Sequence, residues 1–321
     1  MQPELINHVP LIATTRGGVN ESAHYGSVIV LSATGEALAR LGDPGAPMYA
    51  RSSLKPLQAL AMLRAGWVGN PQQVTLACAS HSAEQFHLDT VRSTLVDAGL
   101  DESALRNTPD LPIGVHSHKQ AVIDGMEPSS LTQNCSGKHA AMVATCVAQG
   151  WDLETYLDAQ HPLQRAIRET IEEVCGEQAS AVTTDGCGAP LFYLSLEAVT
   201  RGFVHIARVA AADPESHEAT IYRAITANPE YLGGTDRDVT DMMVAFPGLM
   251  CKDGAESVHI GAFADGSAFG IKISDGGARG RIAATIRALE ILGHTSSELN
   301  EKHWPKILGH GEPVGEVLSL F

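Results

Sequence analysis

A serine and a lysine three residues apart stand at the head of an apolar run. They are Ser52 and Lys55, and leucines and alanines follow at helical spacing. Residues three apart on a helix share one face, so Lys55 could take the proton of Ser52 and make the hydroxyl a nucleophile. Ser-x-x-Lys pairs of this kind can drive acyl transfer. The same residues are also typical of a helix start capped by serine, with Pro56 in the first turn.

Three further segments are rich in reactive groups and poor in core residues. Asn134-Cys-Ser-Gly-Lys-His139 places Cys135 and Lys138 at the same three-residue spacing. Thr184-Asp-Gly-Cys-Gly-Ala-Pro190 is a glycine-rich turn that carries Cys187, and Ala79-Ser-His-Ser82 contains two serines. Each segment alone is a weak signal, but their combination predicts a site for chemistry.

Together these motifs resemble the asparaginase II family, the zinc-containing Ser-Lys amidohydrolases of rhizobial type. The resemblance runs from Arg16-Gly-Gly18 near the start to Lys272-Ile-Ser-Asp-Gly276 near the end, and it includes Gly233-Gly-Thr235. It covers essentially the whole chain in order. It implies an L-asparaginase that hydrolyses L-asparagine to L-aspartate and ammonia through a serine acyl-enzyme.

The resemblance implies two Ser-Lys tandems for catalysis. One joins Ser52, the nucleophile, to Lys55, and the other joins Ser80 to Lys272, with Ser82 as the alternative to Ser80. A lysine acts as a base when burial and a second cation keep it neutral, and Lys272 is a candidate for that cation. From the residues alone, Lys272 equally fits the solvated face of a strand, and the two serines fit an ordinary polar loop.

A zinc ion is implied by the same resemblance, with Cys135, Lys138 and Cys187 as ligands and water in the fourth position. Three protein ligands with an open position are typical of functional zinc sites, and thiolates suit zinc. A lysine ligand must lose its proton, which the charge of the metal can force. Without the resemblance, two distant cysteines would more often be inert buried thiols.

Four residues are candidates for binding the substrate. Arg51 can hold a carboxylate bidentately, and Asp185 is the predicted anion for the α-ammonium or for a ligand lysine. His139 could contact the substrate or support a ligand, although a half-buried helical histidine is equally compatible with the pattern. The resemblance places Cys251 near the site without a role.

Two other functions fit parts of this pattern. A related Ser-Lys amidohydrolase would act on glutamine, or on β-lactams, faster than on asparagine. A non-catalytic amino-acid-binding protein with a structural zinc would bind asparagine without releasing ammonia. The combination of two serines and two lysines favours an enzyme.

Strand patterns lie toward both ends of the chain, and helical patterns lie between them. The predicted strands are 26–32, 37–41, 257–263 and 267–273, and the predicted helices are 53–66, 83–98, 138–149, 162–175, 190–201 and 278–292. Glycines at 66, 99, 150 and 176 mark helix ends. The terminal strands must therefore meet in one mainly antiparallel sheet beside the helical middle. This α+β arrangement resembles the serine β-lactamase and glutaminase fold.

Composition limits the partners and the compartment. The 321 residues are enough for a single catalytic domain over 1–321 with two intimate lobes. A formal net charge of −15 disfavours nucleic acid and anionic membranes, and no apolar run is long enough to span a bilayer. The N-terminus lacks a signal-peptide pattern, which predicts a cytoplasmic protein whose six cysteines remain thiols. The family suggests a homodimer.

Overall fold

The computed structural model of the protein describes residues 5–321. The sequence predicts no signal peptide at the N-terminus, and the first four residues of that segment, 1–4, lie outside the described residues. Twelve strands are present in the described chain: β1 Val9–Arg16, β2 Val19–Leu31, β3 Ala37–Leu41, β4 Pro47–Tyr49, β5 Ala181–Thr184, β6 Pro190–Ser195, β7 Met250–Gly254, β8 Val258–Ala262, β9 Ala268–Ile273, β10 Ile307–Gly309, β11 Glu312–Gly315 and β12 Val317–Ser319.

The same residues contain twelve α-helices: α1 Lys55–Arg64, α2 Pro71–Ala77, α3 Gln85–Asp97, α4 Val115–Ile123, α5 Ser136–Gln149, α6 Pro162–Cys175, α7 Leu196–Ala212, α8 His217–Ala227, α9 Pro229–Leu232, α10 Asp238–Ala245, α11 Ala278–Ile291 and α12 Ser297–His303. Within residues 5–321, none of them combines the length and the apolarity needed to cross a lipid bilayer.

A seven-stranded antiparallel sheet joins the two ends of the chain. Its strands run in the order β12-β1-β2-β9-β8-β7, and β3 pairs with the second half of β2. The central pairing is between β2 and β9, in register from Gly26 opposite Ile273 to Leu31 opposite Ala268. The predicted meeting of the terminal strands and the α+β class are thus confirmed.

Helices cover both faces of this sheet. A Cβ on Gly270 of β9 would stand 2.2 Å from Thr200 Oγ1, so that face packs closely on α7. The next residue, Ile271, lies opposite His259, whose ring nitrogen Nδ1 is 3.0 Å from Thr285 Oγ1 of α11. Because successive strand residues point to opposite faces, α7 and α11 lie on the two sides of the sheet.

Two buried helices in the helical region carry candidate site residues. Helix α1 is buried from Lys55 to Leu63, and a helix that is buried nearly all round belongs in the interior of a protein. Helix α5 is buried from Ser136 to Cys146, with Cys135 at its N-terminal cap. A polar group on either helix is therefore withdrawn from water and must be satisfied by protein partners or by a ligand.

The predicted helix 190–201 is wrong in its first half. Residues Pro190–Ser195 form β6, the middle strand of a three-stranded sheet with β4 and β5, and helix α7 begins only at Leu196. The aromatic and apolar side chains of this run find strand partners, and this tertiary pairing overrides the helical spacing. The Ser195 side chain then caps α7 by accepting a hydrogen bond from Ala198 N at 3.0 Å.

Candidate active site

Ser52 lies in a single tight turn that links β4 to α1. The turn is a 3₁₀-helix, Arg51–Leu54, and it starts with Arg51 in the left-handed region at φ 52°. A non-glycine residue in that region costs on the order of 1 kcal/mol or more, so surrounding contacts must impose it. Arg51 Nε donates to Asp185 Oδ1 at 2.7 Å, and Ser53 Oγ donates to the Lys252 carbonyl at 3.4 Å. The turn is therefore held from two sides.

Lys55 lies beside Ser80 in the protein interior. Its side-chain nitrogen donates to the Ala79 carbonyl and is 3.2 Å from Ser80 Oγ, and the lysine is only 1% exposed. The loop that carries Ser80 follows α2 and is held by a bond from Ser80 N to the Leu232 carbonyl. Ser82 donates its hydroxyl to the Gly233 carbonyl at 2.8 Å. Of the two serines in this loop, Ser80 is thus the one that contacts the lysine.

The predicted partner of Ser80, Lys272, forms its hydrogen bonds with backbone carbonyls. Its amine donates to the Glu256 carbonyl and to the Ile273 carbonyl, the latter at 2.8 Å. Among residues 5–321, Ser80 forms its lysine contact with Lys55 and not with Lys272. Burial lowers the pKa of Lys272, with Glu256 opposing and Arg51 adding to the shift. A catalytic role for Lys272 stays a prediction.

A second buried lysine near Lys55 was missed by the sequence analysis. Lys252 lies on β7, is fully buried, and bonds the carbonyl of Asp253 at 2.6 Å and its Oδ1 at 2.5 Å. Burial lowers the pKa of Lys252 to about 8, Asp253 opposes this shift, and the charge of Lys55 adds to it. The segment Met250-Cys-Lys-Asp-Gly254 has no sequence feature that marks the lysine, and only the adjacent Cys251 was a candidate from sequence.

Asp253 connects Lys252 to the Ser80 loop. Its Oδ2 accepts from Arg237 Nη2 at 3.0 Å, while Arg237 Nη1 donates to the Ser80 carbonyl at 3.3 Å. Burial alone would raise the pKa of Asp253, but the charges of Lys252 and Arg237 hold it well below its usual value. The carboxylate is thus ionised, and it fixes both cations around the serine.

The three predicted metal ligands lie together in the structure. Cys135, Lys138 and Cys187 are all buried, and Lys138 Nζ is 3.2 Å from Cys187 Sγ. A hydrogen bond between the two thiols raises the pKa of Cys135 and lowers that of Cys187, and the Lys138 charge further favours the Cys187 thiolate. Within residues 5–321, no group of three or more His, Cys, Asp or Glu side chains is arranged to hold a metal. A metal site formed by these residues would therefore have to include the amine of Lys138.

The remaining polar residues around the thiols are Asp185 and His139. Burial would raise the pKa of Asp185, but Lys138 and the hydrogen bond from Arg51 outweigh it and lower the pKa. His139 is fully buried with Nδ1 2.8 Å from the Tyr156 hydroxyl, while its Nε2 has no hydrogen-bond partner in the described chain. Burial and the Lys138 charge lower the pKa of His139 well below its usual value, so the ring is neutral.

Cys251 is fully buried in the large sheet. It neighbours Lys252 on β7, and adjacent strand residues point to opposite faces. A Cβ on Gly261, its cross-strand partner, would stand 2.9 Å from Cys251 Cβ, so the thiol packs closely into the sheet. Burial raises the pKa of Cys251, as expected for a core thiol. A contact of this residue with substrate stays a prediction.

The sequence as a whole is also similar to a known family. A family model described as L-asparaginase II matches residues 12–319. The chain belongs to the L-asparaginase II family. A comparison with curated proteins finds no match. Membership of the L-asparaginase II family identifies the protein as an asparaginase-type amidohydrolase that acts on a small-molecule substrate.

Every motif predicted to act in the L-asparaginase II site lies inside the matched residues. The structure brings Lys55 together with Ser80, and Cys135 together with Lys138 and Cys187. The Lys55 charge also acts on Cys135, so the serine-lysine group and the thiol group are neighbours.

Proposed function

We propose that the protein is an L-asparaginase that hydrolyses the side-chain amide of L-asparagine through a covalent ester on Ser52. The observation that carries this proposal is the family match over nearly the whole chain. The assignment of Ser52 rests on its Ser-x-x-Lys spacing with Lys55 in the sequence. Within residues 5–321 the buried amine of Lys55 bonds the Ala79 carbonyl and Ser80 Oγ and makes no hydrogen bond with Ser52. In the proposed reaction a base must take the serine proton.

In the proposed reaction, Ser52 Oγ attacks the amide carbon while its proton passes to Lys55. The tetrahedral intermediate collapses, the C–N bond breaks, and the leaving nitrogen takes the proton held by Lys55 and departs as ammonia. Water then attacks the ester carbon while Lys55 accepts a proton from it. The bond between this carbon and Ser52 Oγ breaks, Oγ takes the proton back from Lys55, and L-aspartate departs. Backbone N–H groups at the start of the turn Arg51–Leu54 are suited to stabilise the oxyanion.

In our proposal, Ser80 and Lys252 form a pathway along which protons are transferred during this reaction. Ser80 Oγ is within hydrogen-bond distance of the Lys55 amine, so it can exchange a proton with it. Lys252 has a pKa of about 8 and is therefore partly neutral near neutral pH, which a proton acceptor in this pathway requires. The Lys55 charge contributes to this lowered pKa, so a change of charge at one lysine is felt by the other.

We further propose that Cys135, Lys138 and Cys187 hold a zinc ion. The donor set fits, because two thiols and an amine converge in a buried position and one thiol already favours the thiolate. A bound zinc would supply a Lewis acid that positions and polarises a substrate oxygen. In our proposal Asp185 and the neutral His139 orient the Lys138 amine, whose charge acts on both of them.

The test of the function is ammonia release from purified protein with L-asparagine, L-glutamine and a β-lactam as separate substrates. We expect the highest kcat/KM for L-asparagine. A higher value for L-glutamine or for the β-lactam would assign a related amidohydrolase activity. Binding of L-asparagine without ammonia release would instead assign a non-catalytic binding protein.

Removal of a proposed zinc ligand should empty the metal site. We expect Cys187→Ala to lower the zinc content, measured by elemental analysis, by roughly tenfold or more, since a three-ligand site loses a soft donor. The KM for asparagine should rise more than kcat falls if zinc positions the substrate. The control is Cys146→Ala, which removes a buried thiol of α5 that is not among the proposed ligands. Full zinc occupancy in Cys187→Ala would contradict the ligand assignment.

We also propose that the protein is a homodimer in the cytoplasm. Six buried free cysteines are compatible with a reducing compartment. Helix α4 and its flanks expose five apolar side chains, at Ile113, Val115, Val122, Ile123 and Met126, which form a surface suited to a partner subunit. Light scattering of the purified chain should give twice the monomer mass, and the double variant Val122→Asp/Ile123→Asp should give the monomer. A dimer that survives this change would exclude the α4 surface.

A further inference from the structure

A cavity of about 360 Å³ opens beside the turn that carries Ser52. It lies where the small sheet of β4, β5 and β6 approaches β9. Its walls include Tyr49 and Tyr193, whose ring centroids are 4.7 Å apart, and Thr184, which precedes Asp185. Two cations, Arg51 and Lys272, and one carboxylate, Glu256, complete the polar lining. Charges of both signs around one small cavity are suited to a zwitterionic ligand.

The two cations retain free hydrogen-bond donors. Arg51 uses Nε for Asp185, and its Nη atoms make no hydrogen bond within residues 5–321. Lys272 bonds two backbone carbonyls, which leaves one of its three N–H groups. The Arg51 charge also helps to lower the pKa of Lys272, so the two cations lie close enough to repel one another. An anion between them would relieve that repulsion.

Glu256 supplies the opposite charge. It lies in a turn where Glu256 and Ser257 are both left-handed, at φ 58° and 54°, and Ser257 Oγ donates to the Gly276 carbonyl at 2.7 Å. A Cβ on Gly276 would stand 2.9 Å from Glu256 Oε2, so this glycine leaves the space that the carboxylate occupies. Within residues 5–321 the Glu256 carboxylate forms no ion pair. Strained backbone held by specific contacts is a mark of functional positions.

Asp185, which the sequence predicts as the anion for the α-ammonium or for a ligand lysine, is already paired with a protein cation. It accepts from Arg51 Nε at 2.7 Å and from the backbone N–H of Gly186 at 2.9 Å. It does not line the cavity, whereas Glu256 does. The carboxylate that remains available to a bound ammonium group is therefore that of Glu256.

We propose that this cavity recognises the α-amino acid group of the substrate, with Arg51 and Lys272 binding the α-carboxylate and Glu256 binding the α-ammonium. The proposal rests on the amidase function proposed above. Arg51 directly precedes Ser52, and consecutive Cα atoms are about 3.8 Å apart. In asparagine a single methylene group separates the α-carbon from the amide carbon. Because Arg51 lines the cavity, the cavity adjoins the turn that carries the nucleophile, and asparagine requires only a short distance between the two.

Two variants and three amides test this assignment. L-Asparagine carries both charged groups, succinamic acid lacks the ammonium, and 3-aminopropanamide lacks the carboxylate. We expect Glu256→Gln to lower kcat/KM for L-asparagine roughly ten- to a hundredfold while succinamic acid is turned over as by the parent. Lys272→Met should lower kcat/KM for L-asparagine and succinamic acid by a similar factor and spare 3-aminopropanamide.

Controls separate recognition from folding. Glu312→Gln removes an exposed carboxylate on β11 and should match the parent with every substrate. Circular dichroism and Tm report whether each variant folds, and Lys272→Arg, which retains the charge, should recover part of the loss. Equal losses with all three amides in Glu256→Gln or Lys272→Met would overturn the assignment.

A binding measurement distinguishes failure of this inference from failure of the proposed function. If the parent releases no ammonia from L-asparagine, the amidase proposal fails, and calorimetry with L-aspartate and succinate still tests the cavity. The parent should bind L-aspartate more tightly than succinate, and Glu256→Gln should abolish the difference. If the parent is active but both ligands bind equally to both proteins, the function stands and this inference falls.

Discussion

Ser52→Ala should reduce kcat for ammonia release from L-asparagine by roughly 10⁴-fold or more, with the fold intact. The substitution removes the oxygen that forms the covalent ester, and loss of a nucleophile removes nearly the whole advantage of such a site. The stability should change little because Ser52 is half-buried and its truncation opens no large cavity. Steady-state kinetics and Tm on the same preparation measure both quantities.

The serines of the neighbouring loop provide the matched comparison. Ser80→Ala should also lose activity strongly, because its hydroxyl contacts the Lys55 amine. The kcat of Ser82→Ala should stay within about tenfold of the parent value, since the Ser82 hydroxyl donates to the Gly233 carbonyl. Near-normal turnover by Ser52→Ala, combined with trapping of a covalent adduct on Ser80, would transfer the nucleophile to Ser80. A severe loss in Ser82→Ala alone would exclude the proposed pathway through Ser80.

Much of the fold was predictable because its strongest signals are local. The strand at 267–273 and the helices at 138–149 and 162–175 show clear periodicity, and Gly150 and Gly176 end the two helices in the left-handed conformation. The run 190–195 was predicted wrongly because its apolar spacing fits a helix, and only the pairing with β4 and β5 makes it a strand. The pairing with β4 links residues far apart in the chain, and no local sequence signal predicts it.

The candidate site was likewise predictable only where its sequence signals are local. Cys135 and Lys138 are three residues apart on one helix, so their proximity follows from helical geometry. The position of Cys187 beside them was predicted from the family resemblance, because no spacing rule predicts it. Lys252 and Glu256 were missed because a lysine in a strand and a glutamate in a turn are ordinary in sequence. Only the burial of Lys252 and the cavity beside Glu256 mark them as functional candidates.

For the parent enzyme, kcat/KM should rise with pH through about 8, because the proposed pathway needs Lys252 neutral and its pKa is about 8. The charges around Lys252 come from Asp253, which raises its pKa, and from Lys55 and Arg237, which lower it. Lys252→Met should abolish this rising limb and lower the rate roughly 10²- to 10⁴-fold, as for loss of a group that takes part in acid–base catalysis. The profile is measured at fixed ionic strength with L-asparagine.

Asp253→Asn decides whether Lys252 is the group that titrates. Removing the anion takes away the main influence that raises the pKa of Lys252, while Lys55 and Arg237 remain, so the limb of the pH–rate profile should move to lower pH.

The pH dependence of the free energy of unfolding supplies an independent check. An unfolded lysine has a pKa near 10.4, so between about 8 and 10.4 the unfolded chain binds more protons, and stability should rise with pH across that window. Lys252→Met should remove this rise. A limb that shifts to higher pH in Asp253→Asn, or that persists in Lys252→Met, would assign the titration to another group.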